Sequence, residues 1–381
     1  MKIVSAGFTR SNLSQNMPTQ CDFPSWNIVS MLWILWERTV AISLYVHPFT
    51  PMEATNPTMA NPSLLLESIF ILFFLPPCLS CPEYQKQALL QFKSSILAIN
   101  SSLHTLDSWN SSSSCCQWDN VTCTSPSNST STSTSRVVIA LHLSNLFAQL
   151  YPEFSERMPS ILLAPLFFIR SLMVLDISDN SIYGQIPALG FGNLSNLVHL
   201  DISQNKFNGS IPPQLFQLRH LRYLDLSHNS LHGSLSPKVG SLQNLRMLNL
   251  TSNFLSGVLP QEIGNLTKLQ QLSLRFNKFS NGIPSSISYL KELEELKLSH
   301  NALSKEIPMN IGNLSNLSIL ILRNNSLTGG IPSSMQKLSW IHFAWKATCS
   351  PEKFHLGCSI SKAWRPYILE ETILLGITEW R

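Results

Sequence analysis

Leu221-Arg-Tyr-Leu224-Asp-Leu226-Ser-His-Asn229 and Leu293-Glu-Glu-Leu296-Lys-Leu298-Ser-His-Asn301 are two copies of one nine-residue pattern, LxxLxLxxN. The pattern closes on asparagine at Asn180, Asn205, Asn229, Asn253, Asn277, Asn301 and Asn325, spaced once by 25 residues and then five times by 24. A second run follows each asparagine, as in Phe207-Asn-Gly-Ser-Ile-Pro212, Leu255-Ser-Gly-Val-Leu-Pro260 and Leu327-Thr-Gly-Gly-Ile-Pro332. The alternation xLxLx predicts a short strand whose leucines point one way while the residues between them point the other. One coil cannot bury its own leucines, whereas stacked coils join the strands into a parallel ladder and the leucines into a continuous core. The chain must then leave the strand sharply, and an asparagine amide can bond the backbone groups that the bend takes out of the ladder. The asparagines are therefore read as structural. Glycine in the second run supplies freedom where a side chain would crowd or φ is positive, and proline fixes φ before the return segment.

Val137-Val-Ile-Ala-Leu141-His-Leu143-Ser-Asn145 reads as an earlier, shorter unit. Its Asn145 precedes Asn180 by 35 residues, so about eleven inserted residues within Phe147 to Pro165 interrupt the period. Asn281 and Lys305 stand where the glycine belongs, and Ser236 where the proline belongs. Asparagine tolerates the left-handed region and lysine does not, so a locally altered turn is expected at Lys305. After Leu338 the repeats stop.

Only 13% of the 381 residues are charged, and the net charge of +4 is spread without a Lys/Arg run, leaving no footprint for nucleic acid or anionic membrane. Of eight cysteines none lies between Thr124 and Thr348, while Cys81, Cys115, Cys116 and Cys123 cluster just before the repeats. That distribution reads as a disulfide-stapled cap in an oxidising compartment rather than a metal site, since the adjacent Cys115 and Cys116 cannot easily both ligate one tetrahedral ion. Leu64 to Leu75 is too short to span a bilayer and suits a signal-peptide core, with a start at Met59 and cleavage before Cys81. Residues 59–80 are assigned to that signal, and 1–58 to an upstream extension without a fold. Residues 339–381 form an unassigned tail whose best apolar stretch, Tyr367 to Ile377, is broken by Glu370 and Glu371. Membrane attachment is thus expected only through an anchor missing from this chain. No GxSxG, HExxH, phosphate-cradling glycine loop or kinase signature is found, so no catalytic residue, cofactor or metal is expected.

Ligand candidates are the outward strand positions. They are Tyr223, Asp225, Ser227 and His228; Met247, Asn249 and Thr251; Gln271, Ser273, Arg275 and Phe276; Glu295, Lys297, Ser299 and His300; and Ile319, Ile321 and Arg323. Taken singly, each reads as a solvated strand residue. As a set, Phe276, Ile319 and Ile321 are apolar where water is expected, and Arg275, Lys297 and Arg323 form a basic stripe beside them, which points to an acidic or carboxylate-bearing peptide or glycan. His228 and His300 stand three coils, or about 14 Å, apart and cannot share a metal. Within the region expected to fold, eleven N-x-S/T sequons start at Asn100, Asn110, Asn120, Asn128, Asn193, Asn208, Asn249, Asn265, Asn313, Asn316 and Asn324. Asn193, Asn265 and Asn313 occupy one repeat position, and a glycan at Asn249 would shadow the ligand surface. Asn128, Asn249 and Asn316 are left out of the expected glycosylation sites.

The 24-residue unit with its LxGxIP run resembles the plant-specific class of leucine-rich repeats. Cys81-Pro-Glu-Tyr-Gln-Lys-Gln-Ala-Leu-Leu-Gln-Phe-Lys93, Leu106-Asp-Ser-Trp109 and Cys115-Cys-Gln-Trp118-Asp-Asn-Val-Thr-Cys123 resemble the N-terminal cap of that class. The resemblance implies an α/β repeat fold, a leucine-rich-repeat solenoid with right-handed superhelix and concave parallel sheet over 137–338, behind a disulfide-stapled helical cap over 81–124. It also implies the pairs Cys81 with Cys115 and Cys116 with Cys123. A helix over Glu83 to Ile99 would lay Leu89, Leu90, Phe92 and Ile96 on the open end of the first coil, and Ser125 to Ser135 would be a flexible loop. Interrupted early repeats without a kinase resemble the receptor-like proteins. That resemblance implies recognition of a peptide, glycan or pathogen protein on the concave face, and signalling through a co-receptor kinase at the extracellular side of the plasma membrane. The chain would then be a truncated receptor ectodomain. The rival expectation is a protein secreted to the apoplast that resembles the polygalacturonase-inhibiting proteins.

Overall fold

The computed structural model describes residues 81–99, 104–125, 136–146, 158–338 and 342–344. Residues 84–125 and 137–381 form one compact unit, and the other, 1–83 with 126–136, lies almost wholly outside the described residues. The upstream extension, the signal segment, the Pro126–Ser135 loop, most of the insertion and Cys349 and Cys358 also fall outside them.

The leucine alternation builds a ten-stranded sheet. Strands Val138–His142, Val174–Asp176, His199–Asp201, Tyr223–Asp225, Met247–Asn249, Gln271–Ser273, Glu295–Lys297 and Ile319–Ile321 run parallel in chain order. Their register aligns Leu141, Leu175, Leu200, Leu224, Leu248, Leu272, Leu296 and Leu320. All eight are buried, so one row of side chains runs through every coil as the spine of the core. The sheet continues past the last expected repeat, because His342–Ala344 pairs in parallel with Ile319–Ile321. The strand thus lies beyond Leu338, the end assigned to the repeats.

Each ladder asparagine ties its coil to the one before it. Asn253 Nδ2 donates to Leu226 O of the preceding coil at 2.9 Å and to Leu250 O of its own at 3.2 Å, while its Oδ1 accepts from Leu231 N at 3.0 Å. The same triad recurs at Asn180, Asn205, Asn229, Asn277, Asn301 and Asn325. In the first unit the ladder place belongs to Leu146, not to Asn145, since the alignment of Leu141 with Leu175 shifts the unit by one residue. Asn145 instead adopts φ 53°, the left-handed conformation also found at Asp179, Gln204, His228, Ser252, Phe276, His300 and Asn324, the residue before each asparagine.

Two further features were not legible as such. The LxGxIP runs pair with one another in a second parallel sheet of six strands, from Tyr183–Gln185 to Ala302–Leu303. The return segments are mostly short 3-10 turns, such as Pro213–Gln217, Gln261–Asn265 and Ser285–Tyr289, so α-helix is confined to Glu83–Leu97 and Ala188–Gly192 among the described residues. Lys305 also departs from expectation. It takes the left-handed conformation of the glycine it replaces, φ 64°, and Asn281 does likewise at 66°. The six-stranded sheet shortens there to the two residues Ala302–Leu303, and Ser236 holds proline-like dihedrals with its Oγ accepting from Lys238 N.

The cap helix ends at Leu97 and buries Gln85, Ala88, Leu89, Phe92 and Ile96, with Leu90 only half-buried, which corrects the expected face. Gln85 completes the first coil from outside: its Oε1 accepts from Val138 N and its Nε2 donates to Ser171 Oγ. The open sheet edge is covered by strand Val121–Cys123, antiparallel to Val138–His142. That strand ends a loop closed by the Cys116–Cys123 disulfide, and Trp118 within the loop stacks on Trp109 at 5.4 Å. Cys81 and Cys115 are disulfide-bonded as well, leaving no cap thiolate to hold a metal.

Replacing Asn253 by Ala strands backbone groups of two coils and is expected to cost about 2–4 kcal/mol in urea unfolding. Lys305→Gly removes left-handed strain at some entropic cost and is expected to stabilise by about 0.5–1 kcal/mol in the same measurement.

Candidate functional site

The outward side of the ten-stranded sheet carries two registered rows. One runs Val174, His199, Tyr223, Met247, Gln271, Glu295, Ile319. The other runs His142, Asp176, Asp201, Asp225, Asn249, Ser273, Lys297, Ile321. Neighbours within a row are separated by the strand spacing of about 4.8 Å.

The early half is acidic and aromatic. Asp176, Asp201 and Asp225 each accept a bond from the backbone N–H two residues on, at Ser178, Ser203 and Ser227, so the carboxylates help to shape the strand exits. Asp225 is buried, and Asn249 Nδ2 donates to its Oδ2 at 2.9 Å. His199 lies flat on Tyr223, with ring centroids 4.0 Å apart. Burial, reinforced by Asp225, pushes the Tyr223 hydroxyl up to about 12. Burial raises Asp201, and burial lowers His199 although Asp201 and Asp176 pull the other way. Asp176, Asp201 and His199 were missed as candidates, yet the twice-repeated Leu-Asp-Ile-Ser placed both aspartates in the row of Asp225.

The late half is cationic and apolar. Phe276 and His300 stack at 4.1 Å, and the Arg275 guanidinium sits 5.4 Å from the Phe276 ring centre. Arg275 Nε donates to Ser299 Oγ, and Asn324 Nδ2 donates to a His300 ring nitrogen at 3.1 Å. Arg323 and the half-exposed Ile319 and Ile321 complete the group. The expected three-cation stripe is reduced, because Lys297 Nζ lies 2.6 Å from Glu295 Oε2 and is neutralised by it. Ser227 and Ser299 are buried, and His228, Phe276 and His300 stand on left-handed turns at the strand exits, not on strands. The sheet therefore does not present all the candidates equally. It brings Tyr223 and Asp225 into one half and Arg275, Phe276, His300, Ile321 and Arg323 into the other, with Asn249 and Gln271 between.

Among the sequons, Asn110, Asn120, Asn193, Asn208, Asn265, Asn313, Asn316 and Asn324 are exposed, while Asn100 and Asn128 lie outside the described residues. Asn249 has its Nδ2 on Asp225 and its Oδ1 on Thr251 N, so a glycan there would break the row.

This geometry is that of a leucine-rich-repeat solenoid with one continuous parallel sheet. Residues 82–124 match the leucine rich repeat N-terminal domain, 154–303 the leucine-rich repeat region and 316–338 a single leucine rich repeat. The chain is similar to Receptor-like protein 46 of Arabidopsis thaliana, with 43% identity over 165 residues, 42% of this chain and 19% of that one. It is also similar to Receptor-like protein 9DC1 of Solanum pimpinellifolium, with 35% identity over 156 residues, 37% of this chain and 16% of that one. Both stretches span less than a fifth of those relatives. Among solved structures, the ectodomain of the Arabidopsis receptor kinase GASSHO1/SCHENGEN3 in complex with CASPARIAN STRIP INTEGRITY FACTOR 2 aligns with TM-score 0.56 and 30% identity, covering 67% of this chain and 32% of that one. A plant ice-binding protein aligns with TM-score 0.51 and 27% identity, covering 69% and 87%. The chain belongs to the leucine-rich-repeat proteins and is similar to plant receptor-like proteins. No helix among the described residues is long and apolar enough to cross a membrane.

Burial, helped by Arg323 and Arg275, holds His300 below the usual histidine value of 6.5. The folded chain therefore keeps this ring neutral while the unfolded chain takes up a proton, so its contribution to stability is present above pH 6.5 and is lost as the pH falls below it. Between pH 7 and pH 5 the wild type should lose more stability than His300→Gln in parallel denaturant titrations. Superimposable profiles would remove the assignment.

Proposed function

We propose that the ten-stranded face is the ligand-recognition surface of a receptor ectodomain at the cell surface, binding a peptide, glycan or pathogen protein and signalling through a partner receptor kinase. The reading is carried by one observation: a continuous face divides its charge, with Asp176, Asp201 and Asp225 in the early coils and Arg275 and Arg323 beside Phe276 and His300 in the late coils. From the strand of Asp201 to that of Arg323 is five coils, about 24 Å at the strand spacing, the reach of roughly seven extended residues. A short peptide with a basic or amino end and a carboxylate end matches that division in both sign and length. The GASSHO1/SCHENGEN3 ectodomain, similar in fold, was solved with a partner bound, which supports a peptide or protein ligand in general.

Selection of displayed short peptides against the full secreted chain tests the reading. Selected peptides should carry a free or acidic C-terminal end, and Arg275→Glu with Arg323→Glu should weaken them by at least about tenfold. If no peptide is selected, or if the double variant binds equally well, this use of the face is wrong. Stoichiometric inhibition of a microbial cell-wall-degrading enzyme without peptide binding would establish the alternative, a secreted inhibitor.

A further inference from the structure

The end of each return segment recurs at 24-residue steps: Asn193, Gln217, Ser241, Asn265, Tyr289, Asn313, Lys337. Three members are sequon asparagines, and Asn265 alone among them is followed one coil later by an aromatic residue. Asn265 ends the turn Gln261–Asn265 and Tyr289 ends the turn Ser285–Tyr289. The two backbones meet without a side chain between them, since a Cβ on Gly264 would come within 2.5 Å of Ser286 O. The Asn265 amide nitrogen lies against Gly240 of the preceding coil, where a Cβ would come within 3.1 Å of it. Asn265, the sequon residue Thr267 and Tyr289 line a cavity of about 600 Å³ together with Gln243, Asn244 and Lys268. Tyr289 is 61% exposed, and Lys268 Nζ is held against Asn244 Oδ1 at 2.9 Å. An exposed tyrosine beside polar amides and an ammonium is a surface suited to a sugar, whose apolar face packs on an aromatic ring while its hydroxyls and acetamide take hydrogen bonds.

We propose that Asn265 carries an N-linked glycan whose innermost N-acetylhexosamine is seated in this cavity against Tyr289. In the modification, Asn265 Nδ2 forms a bond to C1 of the sugar as the bond from C1 to the diphosphate of a lipid-linked oligosaccharide breaks, and the lipid diphosphate leaves with the amide proton. Asn193, followed by Gln217, and Asn313, followed by Lys337, lack such a ring, so glycans there project freely. The glycan at Asn265 shields the flank of the middle coils and leaves the ten-stranded face open.

The test is glycopeptide mass spectrometry on the full chain secreted from plant cells, followed by timed removal of glycans from the native protein by an endoglycosidase. Asn265 should be occupied, and its glycan should be released about three- to tenfold more slowly than that on Asn193 or Asn313, or more slowly than from the unfolded chain if those two are unoccupied. Tyr289→Ala, at an exposed site, should bring the rate at Asn265 up to that of the reference, while Tyr289→Phe keeps it slow. An unmodified Asn265, or a release rate that Tyr289→Ala does not change, overturns the proposal.

Discussion

The buried asparagine amide is the interaction on which the rest of the structure depends. A strand of three residues is too short to hold itself in a sheet, and the turn that ends it pulls backbone groups out of the ladder. One amide on each coil supplies two donors and an acceptor at that point, and it spends them on two coils at once. The bonds lie in a core from which water is excluded, so a missing amide leaves several backbone groups without partners rather than one. Coil thickness, strand register and the 24-residue period are all set by that geometry.

A consequence appears at the strand exit. The residue before each asparagine is held near φ 55°, a conformation an L-residue adopts at some cost, and its N–H continues the ladder to the next coil, as His228 N does to Thr251 O. The side chains at these positions are thereby delivered to the margin of the sheet, where Phe276 and His300 meet face to face. The same constraint that stacks the coils places the aromatic and cationic half of the ten-stranded face. The carboxylate row has a similar double role, since Asp176, Asp201 and Asp225 each bind a backbone N–H at the exit and also set the sign of the early half.

Closing the first coil takes three independent contributions. The antiparallel strand Val121–Cys123 occupies the sheet edge, the helix Glu83–Leu97 covers the leucines, and Gln85 reaches through to pair with Val138 N. A solenoid whose first coil stayed open would present both an unpaired edge and an apolar end, so the cap is part of the fold rather than an attachment to it.

Much of this was determined by the sequence alone. The period, the inward leucines, the ladder asparagines and the cap cysteines follow from spacing, because a repeated unit states its own geometry each time it recurs. The chain could not by itself show where neighbouring coils meet. Whether Asn145 or Leu146 occupies the ladder place depends on the pairing of Leu141 with Leu175 across an interrupted period. That Lys305 would keep a glycine conformation depends on the coils on either side, whose hydrogen bonds hold the turn against the preference of its side chain. The loss of Lys297 from the basic stripe, the burial of Ser299 and the stacking of His199 on Tyr223 are likewise contacts between side chains on one face. Tertiary structure decided these because their energies come from packing and from local dielectric, and neither is written in the spacing of residues along the chain.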